Sequence, residues 1–178
     1  MPELIVETER TVSRWLTMDD LDEMATMRAD PDVARYLGNG EPHTREQVET
    51  RMRFYLECYE KYGFGSSGTM LKGDDRLIGC CGLQPLEDTG EIEVGYSFIK
   101  PLWRQGFATE VAEGWLRYGF LDFDLPRIVA VSLPPNTGSW KVMEKLGMSF
   151  VGSEMHYQAE CVKYAITRDE FLKTRQLT

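Results

Sequence analysis

Three stretches of the chain hold groups whose type and spacing can do chemistry. In Pro101, Leu102, Trp103, Arg104, Gln105 and Gly106, a strand gives way to a glycine-bearing turn and then to a helix beginning near Ala108. Glycine lets backbone approach a ligand closely, and the first amides of a helix have no internal partners. Together they make an anion site, because a helix start carries about half a positive charge. Arg104 adds a mobile cation, although any tight strand-to-helix connection shares the same outline. The second stretch, Asn136, Thr137, Gly138 and Ser139, stands where the next strand ends, the end at which open α/β sheets place their ligands. Asn136 also suits the N-cap of the following helix, and Ser139 its third position. The third is Glu91 and Glu93, which share one face of an alternating strand. A partly buried carboxylate has a raised pKa, as a base working near neutrality needs. The plain alternative is a solvated pair on a half-exposed strand, and for Glu91 that is the favoured reading.

Other reactive types lack such a setting. Cys58, Cys80, Cys81 and Cys161 do not have metal-ligand spacing, and the adjacent pair lies in an apolar run, so all four read as small packing hydrophobes. His43 and His156 occupy no recognisable catalytic context.

These groups need a frame. Arg10 to Leu16 alternates as a first strand, and Thr17 to Asp20 offers a helix start for a segment reaching about Ala29. Thr44 and Gln47 form a capping box, after which Val48, Met52, Tyr55, Leu56 and Tyr59 recur at helical spacing until Gly63. Met70 to Leu71 and Arg76 to Leu83 form a hairpin around Gly73 and Asp74. From Glu91 to Ile99, the residues Ile92, Val94, Tyr96 and Phe98 point one way and Glu91, Glu93, Gly95 and Ser97 the other. Ala108, Val111, Ala112, Trp115, Leu116 and Phe120 trace one helix face, and Arg127 to Leu133 is a short apolar run suited to a strand buried on both sides. Strand, helix and strand make a βαβ crossover with parallel strands. A short helix from Thr137 to Leu146 stops at Gly147, Phe150 to His156 and Cys161 to Ile166 form a closing hairpin, and Thr167 with Glu170 caps a last helix.

Composition narrows the function. The 178 residues fit one domain, 1–178, with 42% hydrophobic residues to fill its core. A net charge of −9 excludes a surface built to neutralise nucleic acid and favours cationic amines or basic peptide termini as partners. Met1 to Arg10 carries three glutamates and no apolar core, and no segment is apolar for long enough to span a bilayer, so a cytoplasmic location without membrane contact is expected.

The segment EIEVGYSFIKPLWRQGFATEVAEGWLRYGF followed by RIVAVSLPPNTGSWKVMEKLGM resembles the acetyl-CoA core of the GNAT superfamily of N-acetyltransferases. It is most similar to the branch of ribosomal-protein N-terminal (alanine or serine) acetyltransferases, and the opening ETERTVSRWLTMDDLDEMATMRADPDVARYLG resembles that branch too, so the likeness runs from about Glu7 to Phe171. The resemblance implies a mixed α/β (α+β) fold: a twisted, mostly antiparallel sheet of about seven strands whose fourth and fifth strands are parallel and splayed, with four or five flanking helices. It implies acetyl-CoA as co-substrate, with no metal. The cofactor would be held by backbone groups near Phe98 and Ile99 and by the amides of Arg104, Gln105, Gly106, Phe107, Ala108 and Thr109, with Asn136 and Ser139 lining the cleft between the splayed strands. Trp103 stands where the family often has Gln or Arg, a departure that leaves amide contacts intact.

The resemblance further makes Glu93 the general base, acting through water. Many relatives take the thiolate's proton from a tyrosine seven residues past the asparagine, but that position here is Met143, and Ser139 matches the serine used by the ribosomal-protein branch as acid. Trp15, Tyr36, Met155 and Tyr157 are candidates for the acceptor pocket. An α-amino group with pKa near 7.8 is the cheaper acceptor, since a lysine near 10.4 costs roughly 3.5 kcal/mol more to deprotonate at pH 7. A protein N-terminus is therefore the expected acceptor. A small-molecule amine (polyamine, amino acid or antibiotic) and a non-catalytic acyl-CoA-binding sensor are the alternatives, and a homodimer is left open.

Overall fold

The computed structural model describes residues 3–176. The chain begins with β1 (Leu4–Glu7) and β2 (Thr11–Arg14), passes a single 3-10 turn, and forms α1 (Leu21–Ala29), α2 (Pro31–Ala34) and α3 (Arg45–Tyr62). Strands β3 (Ser66–Leu71), β4 (Leu77–Pro85) and β5 (Ile92–Phe98) follow, then α4 (Phe107–Leu121), β6 (Arg127–Ser132), α5 (Thr137–Lys145), β7 (Ser149–His156), β8 (Ala159–Thr167) and α6 (Arg168–Thr174). One sheet in the order β1-β2-β3-β4-β5-β6-β8-β7 carries them. Neighbours are antiparallel except β5 and β6, which α4 connects as a parallel crossover. This is the expected mixed α/β fold.

The sheet has eight strands rather than about seven, and the described residues hold six helices rather than four or five. The additional strand is β1, too short to alternate visibly. The short α2 is one turn started by Pro31, with the Asp30 side chain accepting from the Asp32 amide at 2.8 Å. Strand β3 begins at Ser66, earlier than Met70, because its hydroxyls are buried with partners. Ser67 donates to the Cys81 carbonyl at 2.7 Å, and Thr69 meets Ser13 at 3.2 Å.

Helices cover both faces. On one, α4 seals the sheet with Val111, Ala112, Trp115, Leu116 and Phe120, against Val94 and Phe98 of β5. On the other, Met24 of α1 and Val48, Met52 and Tyr55 of α3 pack on Leu16 and Cys80. The limits of α3 follow from its ends: Thr44 and Gln47 exchange capping bonds of 2.8 and 3.3 Å, and Gly63 takes φ 75° as the left-handed stop. The sheet edge β7 is exposed along most of its length, with Phe150, Val151 and Met155 facing outwards. Among the described residues, no helix is long and apolar enough to cross a membrane, and no cluster of ligating side chains could hold a metal ion.

Candidate active site

The parallel strands meet at one place. Among the described residues β5 and β6 share a single registered pair, Glu93 with Val129. On β5 the Ile99 amide donates to Ile78 of β4 at 2.9 Å, so alternation turns the N–H and C=O of Val94, Tyr96 and Phe98 towards β6. Beyond the bridge the strands diverge, and these groups line a wedge whose apex is Glu93. The indole of Trp103 donates to the Phe98 carbonyl at 2.7 Å, so the residue at the position of the family's Gln or Arg closes the wide end of this edge. Of the two expected backbone sites, the Phe98 carbonyl and the Ile99 amide are thus engaged within the protein.

At that wide end α4 begins. Arg104 and Gly106 both take left-handed backbone, φ 61° and 85°, so the turn folds back on itself. Gly106 provides no side-chain cap, and the amides of Phe107, Ala108 and Thr109 have no acceptor among the described residues. Three free amides on a helix start can hold a phosphate group. Gln105 fastens the turn by donating to the Pro101 carbonyl at 2.7 Å. Arg10, which sequence reading passed over, lies beside the turn. It donates to the Gln105 carbonyl at 3.0 Å, pairs with Glu110 at 2.6 Å and lies 3.9 Å from the centre of the Phe107 ring. It neutralises the carboxylate that would otherwise repel an anion at the first turn.

Glu93 is not solvated: it is 4% exposed, on the face of β5 directed at α1 and α3. Burial raises its pKa, while donation from Tyr157 and Gln84 and the charge of Arg51 partly oppose the rise. Gln84 lies beside it on β4 and donates at 2.6 Å, and the Tyr157 hydroxyl also donates to the same oxygen. Tyr157 comes from the β7-β8 hairpin tip, where Tyr157 and Gln158 both adopt left-handed φ, 51° and 63°. Non-glycine residues seldom accept that conformation, which here aims the phenol at the carboxylate. The Tyr157 amide is tied to Glu87 at 3.0 Å, and His156 lies between Glu87 at 2.9 Å and Glu154 at 3.0 Å. Glu91, expected to be solvated, instead pairs with Arg127 and Lys163.

Asn136 caps α5, its Oδ1 accepting from the Ser139 amide at 3.2 Å. The Ser139 hydroxyl lies 2.9 Å from that of Tyr96, which also donates to the Ser139 carbonyl at 3.1 Å. Two hydroxyls, one from β5 and one from the first turn of α5, therefore span the wedge. Burial raises the pKa of Tyr96, so its proton stays in place at neutral pH. Periodicity assigned Tyr96 to the apolar face, which is where its ring packs, and gave no sign of the partner on α5. Met143 is buried in the core.

The acceptor candidates separate. Trp15 packs at 4.2 Å against Tyr59 and 5.9 Å against Trp115 and belongs to the interior. Tyr36 lies 6.0 Å from Trp103. Met155 is 67% exposed on the edge strand, and Tyr157 alone of the four reaches the carboxylate. All four cysteines are free and buried.

Comparisons with known proteins agree with this geometry. Residues 10–149 match the family described as "Acetyltransferase (GNAT) domain". The chain is 29% identical over 153 residues to "Uncharacterized N-acetyltransferase p20" of Bacillus licheniformis, covering 85% of each chain. The crystal structure of a GNAT-family acetyltransferase from Bacillus anthracis superposes with a TM-score of 0.76 at 27% identity, over 92% of this chain and 98% of that one. Ribosomal-protein-S5-alanine acetyltransferase from Vibrio fischeri shares the fold, with a TM-score of 0.76 at 19% identity over 95% and 99% of the two chains. A wedge in a mostly antiparallel sheet, a helix start with free amides and a match over most of the sequence converge: the chain belongs to the GNAT family of acetyltransferases.

Proposed function

We propose that the protein moves an acetyl group from acetyl-CoA to an α-amino group, with a protein N-terminus as its acceptor. The observation that carries the transferase site is the single β5-β6 bridge, which opens a wedge between uncapped α4 amides at one end and the buried Glu93 at the other. The residues present fit the cofactor. The amides of Phe107, Ala108 and Thr109, within the expected stretch from Arg104 to Thr109, would hold the diphosphate. The β6-facing groups of Tyr96 and the neighbouring Phe98 amide would receive the pantetheine arm in the manner of an added strand, with Asn136 beside it. Acetyl-CoA, when bound there, supplies the activated acyl carbon.

The chain's own groups then divide the proton work. Glu93 takes a proton from the incoming ammonium, directly or through one water, and its raised pKa suits a base near neutrality. Tyr157 and Gln84 fix the orientation of that carboxylate. The Ser139 hydroxyl, backed by Tyr96, gives its proton to the departing sulfur as the C–S bond breaks and regains one from the nitrogen that has formed the new C–N bond, the task that Met143 cannot perform. The low pKa of an α-amine supports that acceptor over lysine. A small α-amino compound is the second reading, favoured by the burial of Glu93 and its contact with the Tyr157 hydroxyl.

Calorimetry with coenzyme A, followed by acetyl-CoA turnover against peptides, amino acids, polyamines and aminoglycosides, tests the proposal. Heat on binding together with an acetylated α-amine supports it. Binding without product from any amine would leave the acyl-CoA sensor in its place, and no binding would remove the site altogether.

A further inference from the structure

Between α1 and α3, on the face of the sheet that carries Glu93, two guanidinium groups share one hydroxyl. Arg28 donates from Nη2 to the Tyr55 hydroxyl at 3.2 Å, and Arg51 donates from Nε to the same oxygen at 3.2 Å. Arg28 is 6% exposed, its Nε has no hydrogen-bond partner, and its other contact is the Cys80 sulfur at 3.6 Å. Among the described residues neither arginine forms an ion pair, whereas the exposed arginines around them, Arg35 just after α2 and Arg45 and Arg53 on α3, all do. The guanidinium carbon of Arg51 lies 5.0 Å from the Phe54 ring, 5.2 Å from that of Tyr55 and 5.6 Å from that of Tyr157. Tyr157 in turn donates to Glu93, the carboxylate that feels the charge of Arg51.

This is an unusual place to leave positive charge. The protein is strongly acidic overall, yet two cations meet at one buried hydroxyl with no ion pair to either among the described residues. A buried charge is normally paired, because the interior cannot replace its hydration. The field is felt locally: His43, whose amide donates to the Arg28 carbonyl at 3.1 Å, has its pKa lowered by burial and by both arginines. The lowered pKa favours the neutral imidazole, which can donate one further hydrogen bond. Surface charge favours cationic partners, but the ground next to the base favours an anion.

We infer that Arg28 and Arg51 form the binding site for an anionic group of the acceptor, so that the substrate is an amine that also carries a carboxylate or phosphate. The inference rests on the transferase reading of the wedge and deepens it by naming the acceptor class. A free α-amino acid has its charge one carbon from the amine. Tyr157 links the two groups, its ring centre 5.6 Å from the Arg51 guanidinium carbon and its hydroxyl donating to Glu93, so an anion held by Arg51 would bring the adjoining amine towards the base. Planar guanidinium groups suit this task, since they grip two oxygens at once and keep their charge when desolvated.

The experiment compares acceptors with one charge removed. Acetyl-CoA turnover is measured with the proteinogenic amino acids, their carboxamides and phosphoethanolamine, and with peptides that are neutral or acidic at the second residue. The expected result is a kcat/KM for an acid about ten- to hundredfold above that of its amide, the effect of one charge-assisted hydrogen bond. The amide holds more neutral amine at pH 7, so protonation biases the comparison against this outcome. In Arg51→Gln the acid-to-amide ratio falls towards one whatever the absolute rate, and Arg28→Lys keeps a larger share of the ratio than Arg28→Gln. If Arg28→Gln fails to fold, the Arg51→Gln ratio decides alone. Preference for an acidic peptide over a free acid places the same anion on a protein terminus. Equal rates for acid and amide, or an Arg51→Gln variant with the ratio unchanged, would overturn the inference while leaving the transferase reading standing. Coenzyme A binding with no acetylated amine of any kind would overturn both.

Discussion

The Tyr157→Phe substitution removes the hydroxyl that donates to Glu93, and that loss fixes the sign of its effect. The Tyr157 phenol donates to Glu93, and a donor favours the charged carboxylate over the neutral acid. Phenylalanine keeps the ring beside Arg51, and Gln84 still donates to Glu93 at 2.6 Å while losing its longer bond of 3.4 Å to the Tyr157 hydroxyl, so the principal loss is the donation to the carboxylate. A hydrogen bond to a charged group contributes about 1.5–3 kcal/mol, so at a given acidic pH the fraction of enzyme with an ionised base falls about ten- to hundredfold. The acid limb of the rate profile therefore moves to higher pH, while the rate on the alkaline side, where the base is ionised in both proteins, stays close to wild type. Release of the coenzyme thiol, followed with a chromogenic disulfide from about pH 5.5 to about pH 9, reads both limbs. Coincident acid limbs for the variant and the wild type would refute the assignment of Glu93 as base, or of Tyr157 as the group that tunes it.

Three further outcomes are expected. Glu93→Gln lowers kcat by about 10²–10⁴-fold with little change in coenzyme A affinity by calorimetry. It also raises thermal stability at neutral and higher pH: the folded pKa of Glu93 lies above its unfolded value, so wild-type stability falls as pH rises through that range, and glutamine abolishes the dependence. Ser139→Ala and Tyr96→Phe each slow turnover, and their effects combine less than additively because the hydroxyls act as a pair; single-turnover rates equal to wild type in both would return Ser139 to a helix-start role. Gly106→Ala puts a Cβ 3.4 Å from Nη2 of Arg10 on left-handed backbone, costs roughly 1–2 kcal/mol and weakens coenzyme A binding; unchanged affinity in calorimetry would show that the turn does not grip the diphosphate.

Legibility in the sequence followed the range of the interactions. The limits of α3 were readable because Thr44, Gln47 and Gly63 act on their own helix, and β5 because its alternation is local. The start of β3 was hidden because Ser66, Ser67 and Thr69 resemble a loop until Ser13 and Cys81 supply partners from other strands. Glu93 was placed on the correct strand and face, but its burial depends on Tyr157, 64 residues further on, and on a hairpin backbone that nothing in tyrosine's ordinary preferences suggests. Nothing in the sequence sets Arg28 apart from the other charges of its helix. The short α1 has almost no amphipathic pattern, so the side it turns inward is settled by packing on Cys80 and Tyr55 rather than by periodicity.

The lone ladder pair between β5 and β6 among the described residues also decides how the molecule bears strain. Backbone bonding knits the first five strands into one raft and β6, β8 and β7 into another, and a single rung joins them. Their alignment is otherwise kept by side chains, chiefly the Trp115 and Phe120 layer of α4 that underlies both. Side-chain packing yields to small rotations more readily than a ladder of amide bonds, so the softest axis of the domain runs along this seam.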